Sequence, residues 1–255
     1  MEIATAQALL AFAHETDISL QGLERKRGPL MRDAEDLTTE ALCRFMLERH
    51  RDTIIVRKPE FALRKLKVIV TAALTLSNRK GFQAMSLRDL SCESGVSMGG
   101  LYAYFDSKTT LLNMILSEVT AAVQRTLSAP PEAVTDDPVT HLKWLIDAHI
   151  RLTEEMLAWF AFAFMEAKNF PAAERRKAID SEELTESYFA AVITAGIASG
   201  RFRPDTSPLL PALIKPLLQD WYVKRAKYRR RNVTIDTYIE TVQRLVLSDC
   251  LQDAG

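Results

Sequence analysis

Apolar residues recur at helical spacing along most of this chain, and the breaks between such stretches fall at Gly, Pro and Ser. The leader divides into an Ala/Leu-rich segment at residues 2–14, able to form a short helix, and a loop over 17–31 around Gly22, Gly28 and Pro29. An amphipathic helix follows from about Asp33 to His50, with Leu37, Ala41, Phe45 and Leu47 on one side. A linker over 51–60 leads into a second amphipathic helix that ends near Arg79-Lys80-Gly81-Phe82. Beyond Lys108 the pattern is helical throughout. A connecting helix over Leu111–Leu127 stops at Ser128-Ala129-Pro130-Pro131, and Asp137-Pro138 opens a helix running to about Asn169. Pro171 forces a break; helices over 172–180 and 182–199 follow, closed by Gly200. A long helix starts at Asp205 to Pro208, is kinked at Pro216, and runs through Arg231 to a C-cap at Asn232. Thr234 caps a last helix that reaches about Leu251.

One stretch says more than the rest: SLRDLSCESGVSMGGLYAYFDSK, from Ser86 to Lys108. Ser86 is an N-cap with Asp89 three residues on, where its carboxylate complements the exposed amides. Leu87 and Leu90 supply an apolar face, Gly95-Val96 makes a turn, and Ser97 caps a second helix that opens on Met98, Gly99 and Gly100. Leu101 and Phe105, four apart, anchor that helix from behind, while Tyr102 and Tyr104 point elsewhere. Two helices crossed over a tight Gly-containing turn form a helix-turn-helix, whose second helix enters the DNA major groove. Each helical glycine costs roughly 1 kcal/mol relative to Ala. A backbone that must lie against DNA would repay that cost. The competing reading is a compact helical hairpin inside an ordinary α-domain.

Residues 64–111 resemble the DNA-binding domain of the TetR family of bacterial transcriptional regulators. The matching elements come in order: the first helix ending at Arg79-Lys80-Gly81-Phe82, then Ser86-Leu87-Arg88-Asp89-Leu90, then Ser94-Gly95-Val96-Ser97. Leu101-Tyr102-Ala103-Tyr104-Phe105 and Ser107-Lys108 with Leu111-Leu112 complete the set. Ser91-Cys92 departs from the Ala-rich pair usual there, though both residues are small enough to pack. The leader of about 60 residues is also far longer than the family's norm. The resemblance implies an all-α homodimer whose N-terminal three-helix domain binds a two-fold symmetric operator in double-stranded DNA. On that reading Tyr102, Tyr104 and Lys108 hold phosphates, Arg88, Ser97, Met98, Gly99 and Gly100 approach bases or backbone, and Ser86 is a further DNA-binding residue. The resemblance also implies a C-terminal domain that binds a small effector and pairs its last two helices with their mates.

Composition fits this picture. Apolar residues make up 47% of 255, and Gly and Pro are few, which disfavours disorder and turn-rich β-architecture. No apolar run is long enough to span a bilayer, so no membrane partner is expected, and the location expected is the bacterial cytoplasm, on the nucleoid. Cys43, Cys92 and Cys250 are scattered and odd in number, which suits a reducing compartment, and Cys92 reads as a small packing residue. Net charge is zero, yet residues 57–110 hold nine Lys/Arg against four Asp/Glu, and the segments on either side are both net acidic. The positive third is the one carrying the helix-turn-helix, as phosphate contact requires.

The expected domains are a helical extension over 1–58, the DNA-binding domain over 59–110, and a larger C-terminal domain over 111–255. Residues 141–170 are rich in large soft side chains on more than one face. They suit an apolar cavity with a few polar groups such as Glu166, or equally a plainly packed core. The pocket reading names His149, Met156, Trp159, Phe160 and Phe164, with Trp221 from the helix beyond, and a small, largely apolar effector. Stripes at Leu209, Leu213, Leu217 and Trp221, and at Tyr238, Val242, Leu245 and Leu247, are the expected subunit interface. The basic run from Lys224 to Arg231 sits at a helix end, complements the dipole there and stays solvated. No phosphate loop, metal-ligand spacing or nucleophile elbow is present in the sequence, so neither enzyme activity, cofactor nor metal is expected. The alternative to a ligand-released repressor is a DNA-binding or nucleoid protein without an effector.

Overall fold

The computed structural model describes residues 37–251 except Arg57, and among these the regular elements are helices, with no strand. The all-α expectation is therefore met. The expected elements at 2–14 and 17–31, and the first turn of the helix from Asp33, lie outside the described residues. Close packing divides the chain into two compact units, one ending at Met114 and one beginning at Ile115.

In the first unit, α1 (Thr39–Arg49) starts at Thr38, whose hydroxyl accepts the Ala41 amide at 3.2 Å. It packs on α2 (Pro59–Lys80) through Leu42, Cys43 and Met46, which are fully buried. Leu37, Ala41, Phe45 and Leu47 are only half-buried, so the face expected to pack is not the one that does. Both sets recur with helical period; the surface α2 offers decides between them. α2 itself has Pro at its first position, where no amide partner is lost, and stops at Gly81 with φ of 82°. The linker is tied to the reading head: the Ile55 amide donates to the Ala103 carbonyl at 3.0 Å.

The second unit holds α5 (Lys108–Leu127) from Ile115 onward, then α6 (Glu132–Thr135), α7 (Pro138–Glu155) and α8 (Leu157–Glu166). A 3₁₀ turn (Ala167–Asn169), α9 (Ala172–Ala198), α10 (Leu210–Val223), α11 (Arg225–Arg230) and α12 (Ile235–Cys250) complete it. α7 is the hub, packed against α9, α10 and α12 and burying residues all round its circumference.

Three helix boundaries differ from expectation. The helix opened by Asp137-Pro138 breaks at Met156 (φ −103°, ψ 31°), where no Gly or Pro marks the place. The turn there keeps Met156, Trp159, Phe160 and Phe162 all in the core. The expected break near Ser181 is absent, because α9 runs on with the Thr185 hydroxyl donating to the Ser181 carbonyl at 3.0 Å. The long helix from Leu210 runs through Pro216, but it breaks at Lys224 (φ −111°, ψ 32°) rather than continuing to Arg231. That turn lays Tyr228 on Trp221, with ring centroids 5.5 Å apart, and lets Arg225 grip Glu154 through two hydrogen bonds of 3.0 and 3.1 Å. Asn232 does terminate the basic segment, in the left-handed region (φ 54°).

The expected interface stripes need correcting as well. Trp221, Tyr238, Val242 and Leu247 are buried within the subunit, while Leu209, Leu213 and Leu245 stand 65, 57 and 56% exposed. The basic run is likewise partly enlisted: Lys224 and Lys227 pair with Asp220, and Arg225 with Glu154.

Candidate functional site

The first unit builds a reading head from α3 (Leu87–Ser94) and α4 (Met98–Leu101). Ser86 and Asp89 cap α3 reciprocally: the Ser86 hydroxyl accepts the Asp89 amide at 3.1 Å, and the Asp89 carboxylate accepts the Ser86 amide at 2.7 Å. Lys80 pairs with the same carboxylate at 2.6 Å. Hydrogen bonds from Lys80 first, then from Ser86, hold the Asp89 carboxyl well below the usual carboxylate range. At the turn, Gly95 takes the left-handed conformation (φ 64°) that residues with a side chain rarely adopt. Two serines lock it: the Ser91 hydroxyl donates to the Val96 carbonyl, and the Ser94 hydroxyl to that of Leu90, both at 2.6 Å.

Ser97 caps α4 by accepting the Gly100 amide at 3.2 Å. The helix is a single turn, ending at Leu101 rather than continuing to Tyr104. Leu101 and Phe105 are fully buried and hold it from behind. Ser86, Arg88, Ser97, Gly99 and Tyr102 are exposed and Met98 is half-buried. Arg88 has no ion-pair partner among the described residues.

Four residues of this region differ from expectation. Tyr104 is 2% exposed, not outward-facing, and burial pushes its phenol up to about 12. Its spacing of three from Leu101 and its place beside Phe105 were a legible sign of the inner face. Lys108 does not present a free ammonium: its Nζ donates to the carbonyls of Phe82 (3.1 Å), Gln83 (2.9 Å) and Met85 (3.1 Å) and lies 5.2 Å from the Phe82 ring centroid. It pins the loop that delivers Ser86. Gly100 has an internal reason to be glycine, since a Cβ there would fall 2.9 Å from Val96 Cγ1, whereas a Cβ on Gly99 would meet open space. Cys92 is exposed and does not pack.

The second unit contains a cavity of about 140 Å³ between α5, α8, α9 and α10. Leu116, Val119, Val123, Phe160, Phe164 and Tyr222 form its apolar walls, and the polar groups Thr120, Lys177, Ser181, Glu182, Lys215 and Gln219 line the rest. Phe160 and Phe164 thus line it as expected. His149, Met156, Trp159 and Trp221 do not, and neither does Glu166. His149 is fully buried behind Phe160, 6.1 Å between ring centroids, and its basicity is lowered by burial first and by the Lys215 ammonium second. Met156 and Trp159 are core residues at the α7–α8 turn. Trp221 belongs to the cluster with Tyr228, Tyr238 and Arg225, its indole donating to Glu154 at 3.0 Å. Residues from α9 and α10 that close the cavity, such as Lys215, carried no local signal; they reach it only because those helices pack together.

The profile of "Bacterial regulatory proteins, tetR family" matches residues 69–115. A transcriptional regulator of the helix-turn-helix type from Bacillus subtilis (strain 168), YfiR, is 30% identical over 139 residues, covering 53% of this chain and 67% of its own length. The chain belongs to the TetR family. Another helix-turn-helix transcriptional regulator, HbdR from Aromatoleum sp. (strain CIB), is 24% identical over 201 residues, 79% of this chain and 87% of HbdR. Among solved structures, the ketosteroid transcriptional regulator KstR2 of Mycobacterium tuberculosis shares the fold, with a TM-score of 0.58 at 20% identity over 74% of this chain and 96% of that one. This TetR-family protein is therefore a helix-turn-helix transcriptional regulator, and the matched stretch holds the capped α3, the Gly95 turn and the glycine-opened α4. No helix among the described residues is long and apolar enough to cross a membrane.

Proposed function

We propose that the protein is a homodimeric repressor that a small, largely apolar ligand releases from DNA. The observation that carries this reading is the presence, in one chain, of a rigidly capped reading head and of an apolar cavity in the other unit. The cavity's apolar walls come from four helices and converge on a few polar groups, the usual make-up of a small-ligand site. Units over 59–110 and 111–255 then serve DNA binding and regulation respectively. In the DNA complex, α4 enters the major groove of a two-fold symmetric operator. Arg88, Ser97, Met98 and Gly99 approach bases or backbone, Ser86 and Tyr102 face phosphates, and Lys108 acts by holding the loop before α3. A bound dimer occludes the operator, which makes repression the direct outcome. The two heads must stand about 34–36 Å apart, or a multiple of it, which needs two subunits. Exposed Leu209, Leu213 and Leu245 on and beside the last long helices supply the apolar contact for that dimer. Such a protein works in the bacterial cytoplasm on the nucleoid.

Selection of bound fragments from random duplex DNA tests the reading. An inverted repeat recovered by the wild type and lost in Arg88→Ala and Gly99→Leu supports it. Recovery of unrelated sequences, with no compound able to release the protein, favours the effector-independent DNA-binding alternative.

A further inference from the structure

Lys215 is the chemical anomaly of the second unit. It sits on α10 with its side chain lining the cavity, yet it is only 8% exposed. An ammonium has three protons to place. The hydrogen bond it makes among the described residues is a long one, 3.3 Å to the Thr185 hydroxyl. No carboxylate comes within ion-pair distance of it there. Glu182 and Glu186 are near enough to favour its charge, but Glu182 is exposed and already accepts from the Gln219 side-chain amide at 2.7 Å. His149, fully buried behind Phe160, offers no counter-charge, since an imidazole is either neutral or cationic. A buried cation without a full partner is costly, and one facing a cavity is satisfied by an anion placed in it. The rest of the lining includes Phe160 and Phe164 from α8, Tyr222 one face-repeat along α10, aliphatic walls from α5, and the polar Lys177 and Ser181 of α9, and the space is about that of a cavity known to accept one benzene ring.

We propose that the effector is a compact organic anion, of the size of one ring or a short chain bearing a carboxylate, whose head group pairs with Lys215 while its apolar body lies against Phe160 and Phe164. The inference rests on the ligand-released reading above and narrows it to a charge and a size. It makes Lys215 the group that selects the ligand's charge and the aromatic residues of α8 the group that selects its shape.

Calorimetric titration of the full-length protein with benzoate and hexanoate, against benzamide, hexanamide and benzylamine, tests it. The carboxylates should bind at least about tenfold more tightly than the matching amides, the usual scale for one charge-assisted hydrogen bond. In Lys215→Met that preference should vanish, with circular dichroism reporting the fold; Lys215→Arg should restore part of it. Should Lys215→Met fail to fold, the carboxylate-to-amide ratio of the wild type still decides. Equal affinity for acid and amide, or no carboxylate binding at millimolar concentration, overturns the assignment. Preference for benzylamine overturns it too, and would point to Glu182 as the selecting group. Release from the selected operator separates the two readings. If the amides or benzylamine release DNA, ligand control stands and the anion is wrong; if nothing releases it, ligand control itself falls.

Discussion

Replacing Lys108 by Met removes the ammonium and keeps most of the stem. Three carbonyls lose a charged donor: those of Phe82 and Met85, which are partly buried, and that of Gln83, which is exposed. Charged hydrogen bonds contribute about 1.5–3 kcal/mol where buried, and much less where water takes the vacated place. Counting about 1 kcal/mol for each partly buried carbonyl and half that for the exposed one gives a loss of roughly 2–3 kcal/mol. In a chain of this size that corresponds to a melting temperature lower by about 5–10 °C. The freed loop carries Ser86, so operator affinity should fall as well, through disorder rather than through a lost phosphate contact. Calorimetric melting and fluorescence anisotropy with operator DNA across a salt series, on the same preparation, measure both. The expected pair of results is a clear drop in melting temperature and an unchanged salt slope. A variant that melts like wild type while its slope falls by about one unit would refute the reasoning, because it would show that Lys108 leaves its carbonyls for a phosphate.

Gly99→Ala should raise helix stability by up to about 1 kcal/mol and weaken operator binding, whereas Gly100→Ala should lower the melting temperature by crowding Val96. Melting curves and gel shifts on both variants separate the two glycines. Asp89 has its carboxyl lowered by Lys80 and Ser86, so its contribution is fully present above the unfolded carboxyl's range near pH 4 and fades as pH falls below it. The difference in melting temperature between wild type and Asp89→Asn should therefore shrink on acidification through that region. Lys215 behaves in the opposite direction: burial lowers it to about 8, so the folded state gains stability between about pH 8 and 10.5, and Lys215→Met should flatten that rise in melting scans. Leu213→Glu, on an exposed position, should yield monomers by light scattering with an intact circular dichroism spectrum, and a dimer that persists would place the interface elsewhere.

Local chemistry was sufficient for the reading head. Ser86 with Asp89, Gly95, and Ser97 before Gly99 and Gly100 form caps and turns whose partners lie within three or four residues, so their geometry is written in short spacings. The all-α class, the final helix capped by Thr234 and the family follow from signals of the same range. What packs against what is a different matter. Leu42, Cys43 and Met46 win over Leu37, Ala41 and Phe45 because of the surface α2 presents, and two helical phases of one segment look alike until a partner chooses. The turns at Met156 and Lys224 occur without Gly or Pro because they seat aromatic side chains, and Pro216 is tolerated because the loss of one amide is offset by burial of its apolar neighbours Ile214, Leu218 and Trp221. Lys108 turns inward to carbonyls 23 to 26 residues away, and Trp221, named as a pocket and interface residue on its spacing, is claimed by Tyr228 and Tyr238. The cavity joins α5, α8, α9 and α10 across a hundred residues of chain. Caps and turns close over a few residues and are determined by them; burial is shared among distant helices, so only the tertiary structure could decide which lysine faces a cavity and which leucines stay in water.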